Sequence, residues 1–195
     1  MDFYALIVFA FVASITPGPN NLMLAASGMQ FGFIKTVPHA LGIELGMTVI
    51  FIMCGYGIGQ TVLTSPNARW LLSFAASLYL LYLLWNILHL QNAISESKIA
   101  SKPMTCWQAA SFQFINPKAW LVGITATALF ISDTHWYNIA SFVVTFMVVA
   151  MGSISAWTLF GRFLQSIYNN SRYRRSVQAS LVLLTMYTVA SLWIW

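Results

Sequence analysis

Of the 13 charged side chains in this chain, only Glu44 and Lys118 fall inside long apolar stretches. A charge at the centre of a bilayer costs about 2.5–3.5 kcal/mol on insertion scales, so such a residue faces a cavity or a partner. An acid and a base in one apolar setting can pair with each other, or can snorkel to water. They can also hold the two ends of a zwitterion, the lysine taking a carboxylate and the glutamate an ammonium group or a coupling proton. Two proline motifs sharpen the third reading: Thr16-Pro17-Gly18-Pro19-Asn20-Asn21 and Asn116-Pro117-Lys118. Proline has no N–H and clashes with the carbonyl four residues back, so each motif breaks a helix. Lipid offers no partner for the freed backbone groups, which implies a polar pocket around each break. Pro19 suits the first position of a new helix, which puts Asn20 and Asn21 in its first turn. A helix N-terminus at membrane depth presents free N–H groups and a positive dipole end, and such ends bind carboxylates. The half-helix starting near Pro117 offers the same geometry with Lys118 added. The candidate binding residues are therefore Thr16, Pro17, Gly18, Pro19, Asn20, Asn21, Glu44, Asn116, Pro117 and Lys118, with Gln113 one turn before the second break.

Other chemistry is poorly supplied. Cys54 and Cys106 sit in different apolar segments without C-x-x-C spacing and read as small buried residues. No cofactor or metal site is expected, and no Ser-His-Asp set, carboxylate pair or phosphate-binding loop is visible. His39, near the start of the second apolar segment, is a candidate for a proton relay, whereas His89 and His135 read as interfacial.

The elements that must position these residues are set by composition. The 195 residues are 59% hydrophobic and 7% charged, against about 45–50% and 25% in soluble domains. That excludes a soluble enzyme, a nucleic-acid-binding domain and a disordered regulator. At about 20 apolar residues per crossing, the chain holds six segments: 3–31, 37–60, 70–91, 105–132, 136–161 and 177–195. Polar loops at Gln91–Pro103 and Tyr168–Arg175 separate them. The start of the chain lacks the basic region of a signal peptide, so the first apolar run reads as a retained span. Trp70, Trp107, Trp136, Trp193 and Trp195 fall near segment ends, as an interfacial belt does. Six spans put both termini on one side, where Arg69 is the sole basic loop residue. The other side receives Lys35, Lys98, Lys102, Arg162, Arg172, Arg174 and Arg175. Positive charge stays inside, so the termini are expected outside.

Pro17 and Pro117 are 100 positions apart, and the segments that follow them begin about 100 apart as well. Three spans per half is an odd number, so the halves must enter the membrane from opposite sides. The expected fold is an all-α integral membrane protein with six transmembrane helices in an inverted 3+3 repeat, helices 1 and 4 broken at the proline motifs. Residues 1–195 form one transmembrane domain, with repeats at about 3–91 and 105–195. Gly42 and Gly46 flank Glu44, and Gly28/Gly32 and Gly55/Gly59 repeat that spacing. Small residues so spaced allow close helix approach. Eight of the 11 glycines lie in the first half, which predicts tight packing of its broken helix on its second span.

Ser14-Ile15-Thr16-Pro17-Gly18-Pro19-Asn20-Asn21 resembles the first-helix motif of the LysE/RhtB family of amino-acid exporters. Gln113-Phe114-Ile115-Asn116-Pro117-Lys118-Ala119-Trp120 resembles that family's fourth-helix motif. Length and motif spacing are similar too, so the resemblance covers the whole chain. The TPGPNN stretch, Gln113-Phe114 and Gly123-Ile124-Thr125-Ala126 are most similar to the cysteine/O-acetylserine exporter subgroup. The resemblance implies efflux of small amino acids or their derivatives across a bacterial inner membrane, by proton exchange. The implied partners are a small amino acid, a proton and the lipid bilayer, with no nucleic acid; a homo-oligomer stays open. One departure bears on coupling. Many members carry an acid after the second-span glycine, whereas here Met47 follows Gly46 and Glu44 lies nearly a turn earlier.

Three other classes compete. A metal or inorganic-ion exporter of this architecture favours several intramembrane ligands, and Glu44 alone qualifies clearly. An intramembrane redox enzyme needs a cysteine near each break, which Cys54 and Cys106 do not supply. A non-transporting membrane subunit has no need of two midplane breaks and a buried lysine.

Overall fold

The computed structural model describes residues 1–57, 65–88, 102–131, 135–168 and 171–193. Among them the chain forms eight helices and no strand. In chain order these are α1 Phe3–Ile15, α2 Pro19–Phe31, α3 Phe33–Gly55, α4 Pro66–Leu88, α5 Cys106–Ile115, α6 Pro117–Phe130, α7 Trp136–Tyr168 and α8 Ser171–Ser191. Most of Gln91–Pro103, together with Gly59 and Trp195, lies outside the described residues, as do the side chains of Arg69, Arg172 and Arg174.

Local chemistry sets the helix ends. Asp2 caps α1 by accepting the Ala5 N–H at 3.1 Å. Thr105 and Gln108 form a reciprocal capping box at the start of α5. Pro19 and Pro117 occupy first-turn positions of α2 and α6, as expected. Gly32, at φ +78°, turns the chain from α2 into α3 in a conformation that side chains resist. The α1–α2 pair bends by 60° at its break.

Among the described residues, Phe33–Gly55 and Trp136–Ile167 are each long and apolar enough to cross a membrane, and the bent α1–α2 pair passes the same test as a unit. The chain is a multi-pass membrane protein. Trp70, Trp107 and Trp136 are all exposed, as belt residues are.

Two expectations need correction. The stretch Tyr168–Arg175 is not a loop throughout, because α7 runs to Tyr168 and α8 begins at Ser171. Arginine is a good helix former, so a basic run need not end a helix. The glycines do not pack the broken helix onto the second span. α2 is buried almost all round, and its most extensive neighbour is α7. A Cβ at Gly28 would collide with the Thr158 backbone, and one at Gly161 with the Ala25 backbone. Gly42 and Gly46 of α3 press on α5, where added Cβ atoms would strike the Cys106 and Ala110 carbonyls. The close contacts therefore join the two halves of the chain instead of knitting each half internally. At the centre, Phe51 of α3 meets Phe146 and Phe142 of α7 at ring distances of 4.5 and 5.2 Å.

Candidate functional site

The last carbonyls of a helix have no partner within it. At the end of α1, side chains from three elements take them up. The Asn21 amide donates to Ser14 O at 2.8 Å and to Thr16 O at 2.9 Å. The Trp157 indole of α7 donates to Ile15 O at 3.1 Å. The Lys118 ammonium of α6 donates to Thr16 O at 2.6 Å and to Pro17 O at 3.4 Å. A cation thus sits at the negative end of the α1 dipole. At the second break Asn116 caps α6 by accepting the Lys118 N–H at 3.2 Å, and Trp120 Nε1 donates to Phe114 O at 3.0 Å.

The two breaks are tied to each other. Asn20 Nδ2 donates to Gln113 Oε1 at 2.8 Å, and Gln113 Nε2 donates back to Asn20 Oδ1 at 3.0 Å. Gln113 Nε2 also reaches Ala109 O at 3.0 Å, and Asn116 Nδ2 reaches Asn20 Oδ1 at 3.3 Å. Polar groups stranded by two helix breaks satisfy one another across the bundle, which is the alternative to an unpaired amide in hydrocarbon.

Beside this junction lies a cavity of about 70 Å³. Its polar lining is Ser14, Asn20, Asn21, Glu44, Asn116 and Lys118; its apolar lining includes Ile43, Met47, Val122, Phe146, Met147 and Ile154. Both Glu44 carboxylate oxygens are buried with no hydrogen-bond partner. The ion pair between Glu44 and Lys118 is not formed, because the ammonium is bound to the α1 carbonyls instead. At the α2 N-terminus the N-cap is Gly18, which has no side chain to occupy the first-turn N–H groups.

Six of the eleven candidate residues thus border one cavity: Gly18, Asn20, Asn21, Glu44, Asn116 and Lys118. Thr16, Pro17 and Pro19 border a neighbouring cavity together with Lys118. Gln113 does not line the central cavity; it is fully buried behind Asn20, whose amide it holds. Pro117 is buried at the start of α6. His39 is buried with both ring nitrogens unpartnered and is not among the residues lining the cavity. Sequence reasoning missed Ser14, whose hydroxyl lies 2.8 Å from that of Ser153, and the wall built by α7. Ser14 stood in the first motif, but nothing in the apolar run of α7 marked Phe146, Met147, Ser153 or Trp157. Among the described residues no group of three or more His, Cys, Asp or Glu side chains is placed to hold a metal ion.

A sequence profile described as LysE type translocator matches residues 11–193. The chain is 27% identical over 182 residues to the cysteine/O-acetylserine efflux protein of Escherichia coli (strain K12), covering 92% of this chain and 91% of that one. The same figures hold for the proteins of that name from Shigella flexneri serotype 5b (strain 8401) and Shigella sonnei (strain Ss046). No solved structure matches the chain.

Proposed function

The chain belongs to the LysE type translocator family, and from that premise we propose that it exports a small neutral amino acid, cysteine or O-acetylserine among them, in exchange for protons. It is a transporter and not an enzyme. The substrate class is taken from the relatives' names and from the site chemistry. The central cavity receives the zwitterion. Its ammonium group meets Glu44, and its carboxylate meets the first turns of α2 and α6 and the Lys118 ammonium. The apolar wall of Met47, Phe146 and Met147 takes a short side chain. The observation that carries this reading is the Glu44 carboxylate: it borders a polar cavity at the junction of two broken helices and has no protein partner.

The same reading covers the architecture. Six spans form an inverted 3+3 repeat in a bacterial inner membrane, with both termini periplasmic. Alternating access is a rocking of one half on the other about the cavity. In this reading the energy comes from an ion gradient or from the substrate's own gradient.

Overexpression with measurement of amino acids outside the cell tests the proposal. Wild type raises external cysteine, O-acetylserine or another neutral amino acid, and dissipating the proton gradient lowers that outflow. Glu44→Gln removes a charged partner worth about 1.5–3 kcal/mol, so export falls by roughly ten- to 150-fold at equal protein level. Outflow of every neutral amino acid unchanged by wild type overturns the export reading; full export by Glu44→Gln overturns the site.

A further inference from the structure

Lys118 borders two cavities. One is the central cavity; the other, of about 180 Å³, is formed by the first break, α6 and the end of α8, with Tyr187, Ser191 and Leu192 in its wall. The first break also lies between them, for Gly18 faces the central cavity while Thr16 and Pro17 face the second. The lysine bonds to the carbonyls of Thr16 and Pro17, so its side chain spans from α6 to the break, between the two cavities. Gly18 makes this seat available: a Cβ there would lie 2.8 Å from Lys118 Cδ and 3.1 Å from Nζ. The Gly18 backbone is extended, at φ −170°, so the glycine serves space and not an unusual conformation.

We propose that Lys118 is the movable partition of the transport path, and that the second cavity is the compartment into which the amino acid passes. This rests on the export reading above. The closed position is the ammonium on the α1 carbonyls. A carboxylate in the central cavity is a stronger acceptor for an ammonium than two neutral carbonyls. As the solute binds, the lysine leaves Thr16 and Pro17 and opens the wall that it had closed. The substrate class follows from this exchange: a solute without a carboxylate lacks the group that draws the lysine away. Lys118 is thus both a binding residue and the element that couples occupancy to opening, while Gly18 is a positioning residue for it.

Thiol accessibility tests the partition without depending on transport. In a background with Cys54 and Cys106 replaced by alanine, Ser14→Cys marks the central cavity and Ser191→Cys the second. A charged, membrane-impermeant methanethiosulfonate is applied to right-side-out and to inside-out vesicles. Ser191→Cys reacts from one face. From that face Ser14→Cys reacts at least tenfold faster once Lys118→Met or Gly18→Ala is added. Gly18→Ala keeps the charge and displaces only the flexible stem, so it guards against a folding defect in Lys118→Met. If the Ser14→Cys rate from that face is unchanged in both, or if Ser191→Cys reacts from neither face, the partition is refuted. Wild-type export measured alongside distinguishes that result from failure of the export reading, in which no neutral amino acid flows out at all.

Discussion

The tie between the two breaks is a pair of reciprocal amide bonds, and its strength can be isolated. Asn20 and Gln113 exchange hydrogen bonds of 2.8 and 3.0 Å across two different helices. Interhelical hydrogen bonds in membrane proteins average about 0.6 kcal/mol and reach about 1.7. Two of them therefore predict a coupling of about 1–3 kcal/mol. The upper part of the range is favoured here because Gln113 is fully buried, so water cannot replace the lost partner. The perturbation is a double-mutant cycle of Asn20→Ala and Gln113→Ala. The contact from Asn116 to Asn20 is lost in both Asn20 variants and cancels in the cycle. The assay is the unfolding free energy in mixed micelles titrated with a denaturing detergent. Each single change destabilises, and the double variant is less destabilised than the sum by the coupling energy. Independent sites add to within about 0.3–0.5 kcal/mol. A coupling below that level means the amides do not hold the breaks together.

Two further outcomes follow from the packing. Gly28→Ala and Gly161→Ala each drive a Cβ into the facing backbone of the α2–α7 contact, so each lowers stability in the same titration by about 1–3 kcal/mol or more; Gly152→Ala, with nothing within 4 Å, is neutral or gains about 0.5–1 kcal/mol. Trp157→Phe keeps an aromatic side chain but loses the pyrrole ring and with it the donor to Ile15 O, so stability falls by about 1–3 kcal/mol, read in the same titration.

What the sequence disclosed and what it withheld divide along a physical line. The breaks were legible because proline acts on its own helix: Pro17, Pro19 and Pro117 stop or start helices whatever surrounds them. Glu44 and Lys118 were legible because charge is rare in an apolar run. Whether they pair with each other was one of the alternatives left open, because partners are chosen by tertiary packing. The lysine found the C-terminal carbonyls of α1, which no local pattern could single out as the nearest unsatisfied acceptors. The glycine spacing likewise showed that some helix comes close, but not which one. Gly28 meets α7 and Gly42 meets α5 because the halves interleave, and that is a non-local fact. The cavity wall from α7 was silent for the same reason, since phenylalanine and methionine in an apolar span look the same whether they face lipid or a solute.

The polar groups around the junction can be accounted for one by one, and the account narrows the site. The Asn21 amide spends its N–H groups on the α1 carbonyls. Asn20 is engaged at both polar atoms by Gln113, and Asn116 accepts from the α6 backbone. These three asparagines line the cavity, yet their main duty is to satisfy the broken helices. The lysine is also engaged, but only with neutral carbonyls that a carboxylate can displace. The glutamate alone has neither oxygen partnered. A buried carboxylate left in that condition costs more than any other group in the cavity, and an arriving ammonium relieves the cost. The asymmetry between a lysine that must be pulled from its seat and a glutamate that waits without a partner gives the binding an order. The amino end of the solute gains an interaction at no expense to the protein, whereas its carboxyl end gains one by taking the lysine from α1. On this argument an amine lacking the carboxylate still enters the cavity but leaves Lys118 seated, and so it competes with export without being exported.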